Sequence, residues 1–317
     1  MIYLKRTGCV MLFLLGLLVI LLAASAIFKP KNNIPSAGME ETLANGILGE
    51  PENTIDVLII GDSESRCAIC PMQIWKETGF TTYVCATAAQ KLSYSYTMLD
   101  RAFQRQKPKI VILETLAIFR EMSLEDAVKE ILYHRLPVLR YHDRWKCLHA
   151  NDFGGAVLPV WTNDSKGYWN TKKVDPGSNE PYMGAMDNKS SVSLLNRRYV
   201  RAIKTLCEKN GSRLLLLSTP STINWNYALH NGIQAVAEEL GIEYIDMNLM
   251  NDRIKIDWSR DTFDKGDHLN HSGAVKLSLV LSEYLQEQGI FKDHRGDQAY
   301  AKWEDILKNR GTEPEEE

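Results

Sequence analysis

Short apolar runs recur along this chain at Asp56–Ile60, Thr82–Ala86, Lys109–Glu114, Arg213–Ser218 and Glu243–Asp246. Between them lie stretches with helical periodicity: Pro71–Glu77, Tyr94–Gln106, Leu124–His134, Ser191–Lys209, Tyr227–Leu240 and Ser272–Gln288. Runs such as VLII and RLLLLS do not alternate polar with apolar residues, so a strand made from them must be covered on both faces. Alternating such strands with amphipathic helices predicts an α/β domain whose mostly parallel sheet is buried between helical layers. With 317 residues, 44% of them apolar, the chain is long enough to fill one large core and carry an insertion.

A second constraint precedes the domain. Val10–Phe28, VMLFLLGLLVILLAASAIF, carries no charge and has the length a helix needs to cross the ~30 Å of a bilayer's hydrocarbon. Lys5 and Arg6 before it and Ala24-Ser25-Ala26 near its end resemble a signal peptide, but the apolar run is longer than is usual there, which favours an uncleaved anchor. Lys29 and Lys31 balance Lys5 and Arg6, so charge alone gives no orientation. The expected organisation is 1–29 as cytoplasmic tip and transmembrane anchor and 30–54 as a stalk rich in Pro, Asn, Gly and Glu. The folded domain then spans 55–290, and 291–317 is a solvated tail ending in EPEEE. Over about 140–190 the alternation fails, and Trp145, Trp161, Tyr168, Trp169 and Tyr182 stand among polar residues. Such a segment reads as a lid or binding insertion, its rings suited either to stacking on sugars or to packing the loop down.

The formal net charge of -3 includes no basic stripe, which argues against a nucleic-acid partner. Cys67 and Cys70 have C-x-x-C spacing, but no second Cys or His pair completes a metal site, and they do not stand in a redox-motif context. Small buried side chains are the plain reading. The six cysteines are too few for a disulfide scaffold.

The stretch VLIIGDSES, Val57 to Ser65, breaks from an apolar strand into glycine, an acid and a serine. Ligands of an open parallel sheet collect at the carboxyl ends of its strands, where Ser63 falls. The hydroxyl is either a nucleophile or the cap of the next helix, for which Ser is a favoured residue. A nucleophilic serine needs a base, and the base needs a carboxylate to orient it and stabilise its charged form. Asp261–Gly273, DTFDKGDHLNHSG, supplies His268 beside Asp264 and Asp267 just before the last helix. His271 has no near-adjacent acid and reads as a polar helix-start residue.

With these blocks together, the chain resembles the SGNH (GDSL-type) hydrolase superfamily: a GDS triplet near the start of the domain, and acid-His-Leu-Asn-x-x-Gly near its end. The anchor, GDSES and GDHLN more narrowly resemble its membrane-anchored DltD-like branch, which handles acyl groups on cell-envelope polymers. The likeness covers roughly Asp56–Glu114 and Arg213–Glu287 and leaves the insertion uncovered. It implies a three-layer flavodoxin-like fold, Ser63 as nucleophile, His268 as general base and a domain outside the cytoplasm. It further implies a single-pass serine esterase or O-acyltransferase acting through an acyl-enzyme on a cell-envelope polymer or glycan. A membrane-bound O-acyltransferase is the kind of partner such a chain would have, and the chemistry calls for no metal or cofactor.

Two departures qualify the match. The family's acid stands three residues before the histidine, where this chain has Lys265; Asp264 serves if the loop carries one extra residue, with Asp267 as the alternative. The family's oxyanion donors are the Ser amide, a glycine after the second strand and an asparagine after the third. Here Cys85-Ala86-Thr87 and Glu114-Thr115 occupy those places, leaving the amides of Ser63 and Ala86, with Gln90 as a third donor. One donor is worth on the order of 100 to 1000-fold in rate. The alternative is therefore a catalytically weak binding or assembly component of an envelope acylation complex on the same fold. STPSTINWN, Ser218 to Asn226, follows the fourth strand and offers Ser221, Asn224 and Trp225 to the substrate, or else a helix-start loop capped by Ser221 or Thr222.

Overall fold

The structure, a computed structural model, describes residues 2–310; the EPEEE end of the expected tail lies outside them. The strands β1 (Val57–Gly61), β2 (Thr82–Ala86), β3 (Ile110–Glu114), β4 (Arg213–Ser218) and β5 (Glu243–Asp246) form one sheet in the order β2-β1-β3-β4-β5. Every pairing in it is parallel. The order is flavodoxin-like, and its reversal between β1 and β3 opens a crevice at the carboxyl ends of those strands.

Because strand side chains alternate in direction, each apolar run feeds two cores. Leu58, Ile60, Val111, Leu113 and Leu216 face one, and Val57, Ile59, Ile110, Ile112 and Leu217 face the other. The helices before the second strand are α1 (Ile2–Phe28), α2 (Thr42–Asn45), α3 (Ser63–Ala68) and α4 (Pro71–Thr78). Next come α5 (Leu92–Phe103), α6 (Leu116–Phe119), α7 (Leu124–Arg135) and α8 (Pro137–Tyr141). The C-terminal half adds α9 (Leu194–Lys209), α10 (Tyr227–Leu240), α11 (Asn251–Ile254), α12 (His271–Glu287) and α13 (Ala301–Arg310). The first core is closed by α5, α9 and α10 through Leu99, Val200, Ile203 and Ile233. The second is closed by α3, α4 and α12 through Ala68, Ile74, Leu277 and Leu281. Three layers result, as the alternation of runs predicts.

The 30–54 segment differs from the expected stalk: it lies on the domain. Asn33 is buried, donating to Trp161 O at 2.6 Å and accepting from Trp161 N at 3.0 Å. Tyr83 of the edge strand donates to Leu43 O at 2.9 Å, and Ala44 and Ile47 enter the core. Lys166 of the insertion and Glu50 form an ion pair at 2.8 Å, with side chains 0% and 1% exposed. Lys166 O also takes the N–H of Val84 at 2.9 Å, so insertion and stalk together cover the edge of β2. The segment lacks a sequence period because short turns carry its buried groups.

The described part of the expected tail is also folded. Trp303 of α13 packs on Trp75 of α4 at 5.4 Å between ring centroids, and His294 reaches Asp56 at 3.0 Å. At the other end, α1 is the helix among the described residues that is long and apolar enough to cross a membrane. Its last turn meets the domain: Val138 N donates to Ser25 Oγ at 3.3 Å and Arg144 Nη1 to Phe28 O at 2.7 Å.

Candidate active site

The loop from β1 into α3 has two demands on it, and separate residues meet them. Asp62, not Ser63, is the N-cap: its Oδ1 accepts from Glu64 N at 3.0 Å, and its Oδ2 accepts from Arg120 Nε at 2.7 Å. Ser63, the first residue of α3, keeps its hydroxyl for the crevice. Gly61 lets this turn form, since a Cβ there would lie 2.6 Å from Glu114 Cβ and 2.7 Å from Ser65 Oγ.

His268 Nε2 lies 2.9 Å from Ser63 Oγ, and His268 Nδ1 lies 2.7 Å from Asp264 Oδ2. Asp264 Oδ1 also accepts the backbone N–H of His268 at 2.7 Å. The carboxylate therefore grips ring and backbone together, which fixes the imidazole's orientation. Asp267 Oδ1 stands farther from Nδ1, at 3.6 Å, and instead accepts from Asn224 Nδ2. The longer reach from Asp264 has a backbone cause. Lys265 (φ 65°) and Gly266 (φ 97°) are consecutive left-handed residues that fold the chain back on itself. A Cβ at Gly266 would lie 2.1 Å from Thr222 Oγ1, so glycine is required on both counts.

Buried acids surround this relay. Burial holds the Glu64 carboxyl well above its ordinary value, although Asn224 Nδ2 donates to it at 2.8 Å, and the charges of Asp62 and Asp267 push the same way. Glu114, behind Gly61, is likewise held high, first by burial and then by Asp62 and Glu64. Burial also raises Asp267. Arg120 is the cation of the group and carries the ion pair to Asp62. Glu64, Asp267 and His268 bring potential metal-ligand atoms within 4.8 Å of one another. Asn224 bridges the two acids, while Ser63 and Asp264 occupy the two ring nitrogens of His268.

The other sequence-selected residues divide. Asn224 reaches the site edge, between Glu64 and Asp267. Ser221 is buried behind it, donating to Asp267 O at 2.7 Å, so it braces the histidine loop instead of lining a substrate. Trp225 is in the core, its indole donating to Asp246 Oδ2 at 3.0 Å. Gln90 is not an oxyanion donor: its side-chain amide Nε2 donates to Ser95 Oγ at 2.9 Å and to Cys85 O at 3.5 Å. Ala86 is also misdirected. Strand alternation sets its N–H on the same side as that of Val84, which donates outward to Lys166 O. The Ser63 amide, first in its helix, has no acceptor within the helix. His271 opens α12, with Asn270 as its cap.

The insertion reaches the site through one ring. Phe263 stacks on His268 at 5.6 Å and 15°, and Trp169 meets Phe263 edge-on at 5.2 Å. Tyr168 is buried, and Tyr182 donates to Asn248 Oδ1 at 2.9 Å, so those rings pack the segment down. Cys67 and Cys70 are buried and not joined in a disulfide, and burial pushes the Cys67 thiol up to about 12. A thiol held that high is not activated as a nucleophile.

An α/β domain with a serine–histidine–aspartate relay at its topological switch point is thus what fold and side chains define. No protein-family model and no curated protein matches the chain. Among solved structures it is similar to a GDSL-like lipase from Bacteroides thetaiotaomicron, at 9% identity and a TM-score of 0.36, covering 73% of this chain and 88% of that one. It is also similar to a two-domain esterase active on acetylated mannans, at 11% identity and a TM-score of 0.40, covering 80% of this chain and 53% of that one. Likenesses of this size carry no functional argument, so the reading of the site rests on side-chain geometry.

Proposed function

We propose that the chain is a membrane-anchored serine esterase or O-acyltransferase of the SGNH type, working outside the cytoplasm on acyl esters of a cell-envelope polymer or glycan. The observation that carries this reading is the continuous relay from Asp264 through His268 to Ser63. In it, His268 Nε2 takes the Ser63 proton as Oγ attacks the ester carbonyl, and Asp264 stabilises the imidazolium that forms. The imidazolium then protonates the leaving alkoxide, and an acyl-Ser63 intermediate remains. Water, or a hydroxyl of the acceptor, attacks the acyl carbonyl while His268 removes its proton, and Ser63 is regenerated. The Ser63 amide is the oxyanion donor this chain offers.

The apolar helix supports the anchoring, and its packed last turn supports its retention. The resemblance of the GDSES and GDHLN blocks to the DltD-like branch is what supports the extracytoplasmic side and a membrane-bound O-acyltransferase as partner. Trp169, beside Phe263, supports a sugar-bearing substrate. The reading is tested by incubating the full chain in detergent with an aryl acetate and with O-acetylated glycan, with and without an alcohol acceptor. Acetate release identifies an esterase, transfer to the alcohol a transferase, and neither sinks the reading.

The committed side chain of Gln90 favours one further reading, a binding or assembly component with poor turnover. That component would bind the polymer yet release no acyl group.

A further inference from the structure

The observations reach furthest at the place where α1 meets the domain. A cavity of about 430 Å³ opens there, lined by Lys29 and Pro30 directly after the last residue of α1, and by residues of α5, α7 and the insertion. Its charges are unequal. Glu52 is paired with Arg105 at 3.3 Å and Glu130 with Arg140, which accounts for both carboxylates of the lining. Lys29 and Arg101 form no direct ion pair among the described residues: Arg101 lies over the Tyr94 ring at 5.7 Å, its Nη2 contacts Met98 Sδ at 3.8 Å and its Nε is buried without a hydrogen bond, while Glu130, already paired with Arg140, adds only a longer-range charge. His134 is held below its ordinary value by burial and is engaged with Asp100 at 3.0 Å, so it neither adds a full charge at neutral pH nor offers an anion. Met39, Leu48 and Val157 supply apolar wall.

The surroundings of the cavity give its ligand an origin. Trp145, Phe153, Leu158 and Val160 are exposed on the segment that receives the end of α1. Leu158 N donates to Lys31 O at 2.8 Å and Val160 N to Asn32 Oδ1 at 3.2 Å, so these side chains are tied to the residues immediately after the apolar helix. Large apolar side chains in that position suit the boundary between headgroups and acyl chains. A cavity with surplus cationic charge at the same level suits a lipid phosphate.

The geometry points to a binding site in this cavity for the headgroup of an anionic glycerophospholipid, drawn from the leaflet in which α1 ends. Lys29 and Arg101 neutralise the phosphate, and the apolar wall receives the first part of the acyl chains. The inference rests on the membrane-anchored reading above and assigns that reading a specific lipid chemistry.

The test uses the full chain, delipidated in a neutral detergent and titrated with phosphatidylglycerol or phosphatidylcholine of the same acyl length, with bound lipid counted by native mass spectrometry. The two cations without a direct ion pair predict a preference for phosphatidylglycerol of about ten- to thirtyfold. Arg101→Gln and the exposed Lys29→Gln are each expected to lose most of it while retaining wild-type circular dichroism; if Arg101→Gln does not fold, Lys29→Gln alone decides. Equal binding of the two lipids, or an undiminished preference in the folded variants, overturns the site. Competition by glycerol 3-phosphate at matching concentration overturns the lipid assignment and leaves a small-anion site. Flotation with phosphatidylcholine vesicles separates the two claims. A chain that floats but shows no lipid preference refutes only this site, and one that does not float refutes the anchoring and the site together.

Discussion

His268 Nε2 and Ser63 Oγ lie 2.9 Å apart although 205 residues separate them in the chain. The contact exists because β1 and the loop before α12 both end at the carboxyl edge of the sheet, at the point where strand order reverses. Asp62 frees the serine for it by taking over the helix cap.

Which aspartate completes the relay is decided by one substitution pair. Asp264→Asn leaves the imidazole without its anionic partner and is expected to lower kcat for an aryl ester about 10⁴-fold. Asp267→Asn, whose carboxylate faces Asn224, is expected to cost less than about tenfold. Equal losses, or the reverse order, would move the relay to Asp267.

Gly61→Ala should fail for a steric reason. The added methyl meets Glu114 Cβ and Ser65 Oγ well inside contact distance. Overpacking of this kind costs about 1–3 kcal/mol, and here it also displaces the turn that aims Ser63. Urea unfolding and esterase assays should decline together; a variant with unchanged stability would contradict the tight approach of β1 and β3.

How much of this was legible in the sequence depends on the range of each contact. The strands and helices were, because their signals are periodic and local: Tyr227–Leu240 is a helix with the bounds its pattern predicts. Ser63 and His268 were, because each stands in a short block with its chemical neighbours. Arg120 on Asp62 and Lys166 on Glu50 were not, since each pair joins distant segments with no pattern between them. Ala86, Gln90, Ser221 and Trp225 were placed on the correct edge of the sheet but not in the correct direction. Strand alternation and competing hydrogen bonds set that direction.

Stability should fall with rising pH through the buried acids. The folded protein holds the Glu114 proton well above the ordinary carboxyl range, whereas the unfolded chain releases it near ~4.3. Below that pH both states are protonated and the contribution is intact; above it the unfolded state alone ionises, until the folded group follows. Glu114→Gln removes this titration. It should melt like wild type near pH 4 and at a higher temperature at pH 8, by about 2–4 °C per kcal/mol recovered. Parallel pH slopes would show that Glu114 ionises freely in the fold.

The ion pair between the insertion and the 30–54 segment makes both part of the folded unit. Lys166→Met leaves Glu50 as a buried carboxylate without its cation and is expected to destabilise by about 3–5 kcal/mol. Adding Glu50→Leu should restore much of that loss. If the single variant is as stable as wild type in urea, the segment is not packed on β2 in solution.

The most direct test is covalent. The full chain in detergent, treated with a fluorophosphonate at neutral pH and weighed intact, should gain one adduct, and peptide mapping should put it on Ser63. Ser63→Ala should gain none, and His268→Ala should react slower by about 10⁴-fold or more. A folded wild-type chain that stays unlabelled, or labels elsewhere at the same rate in all three proteins, would contradict an activated serine in this crevice.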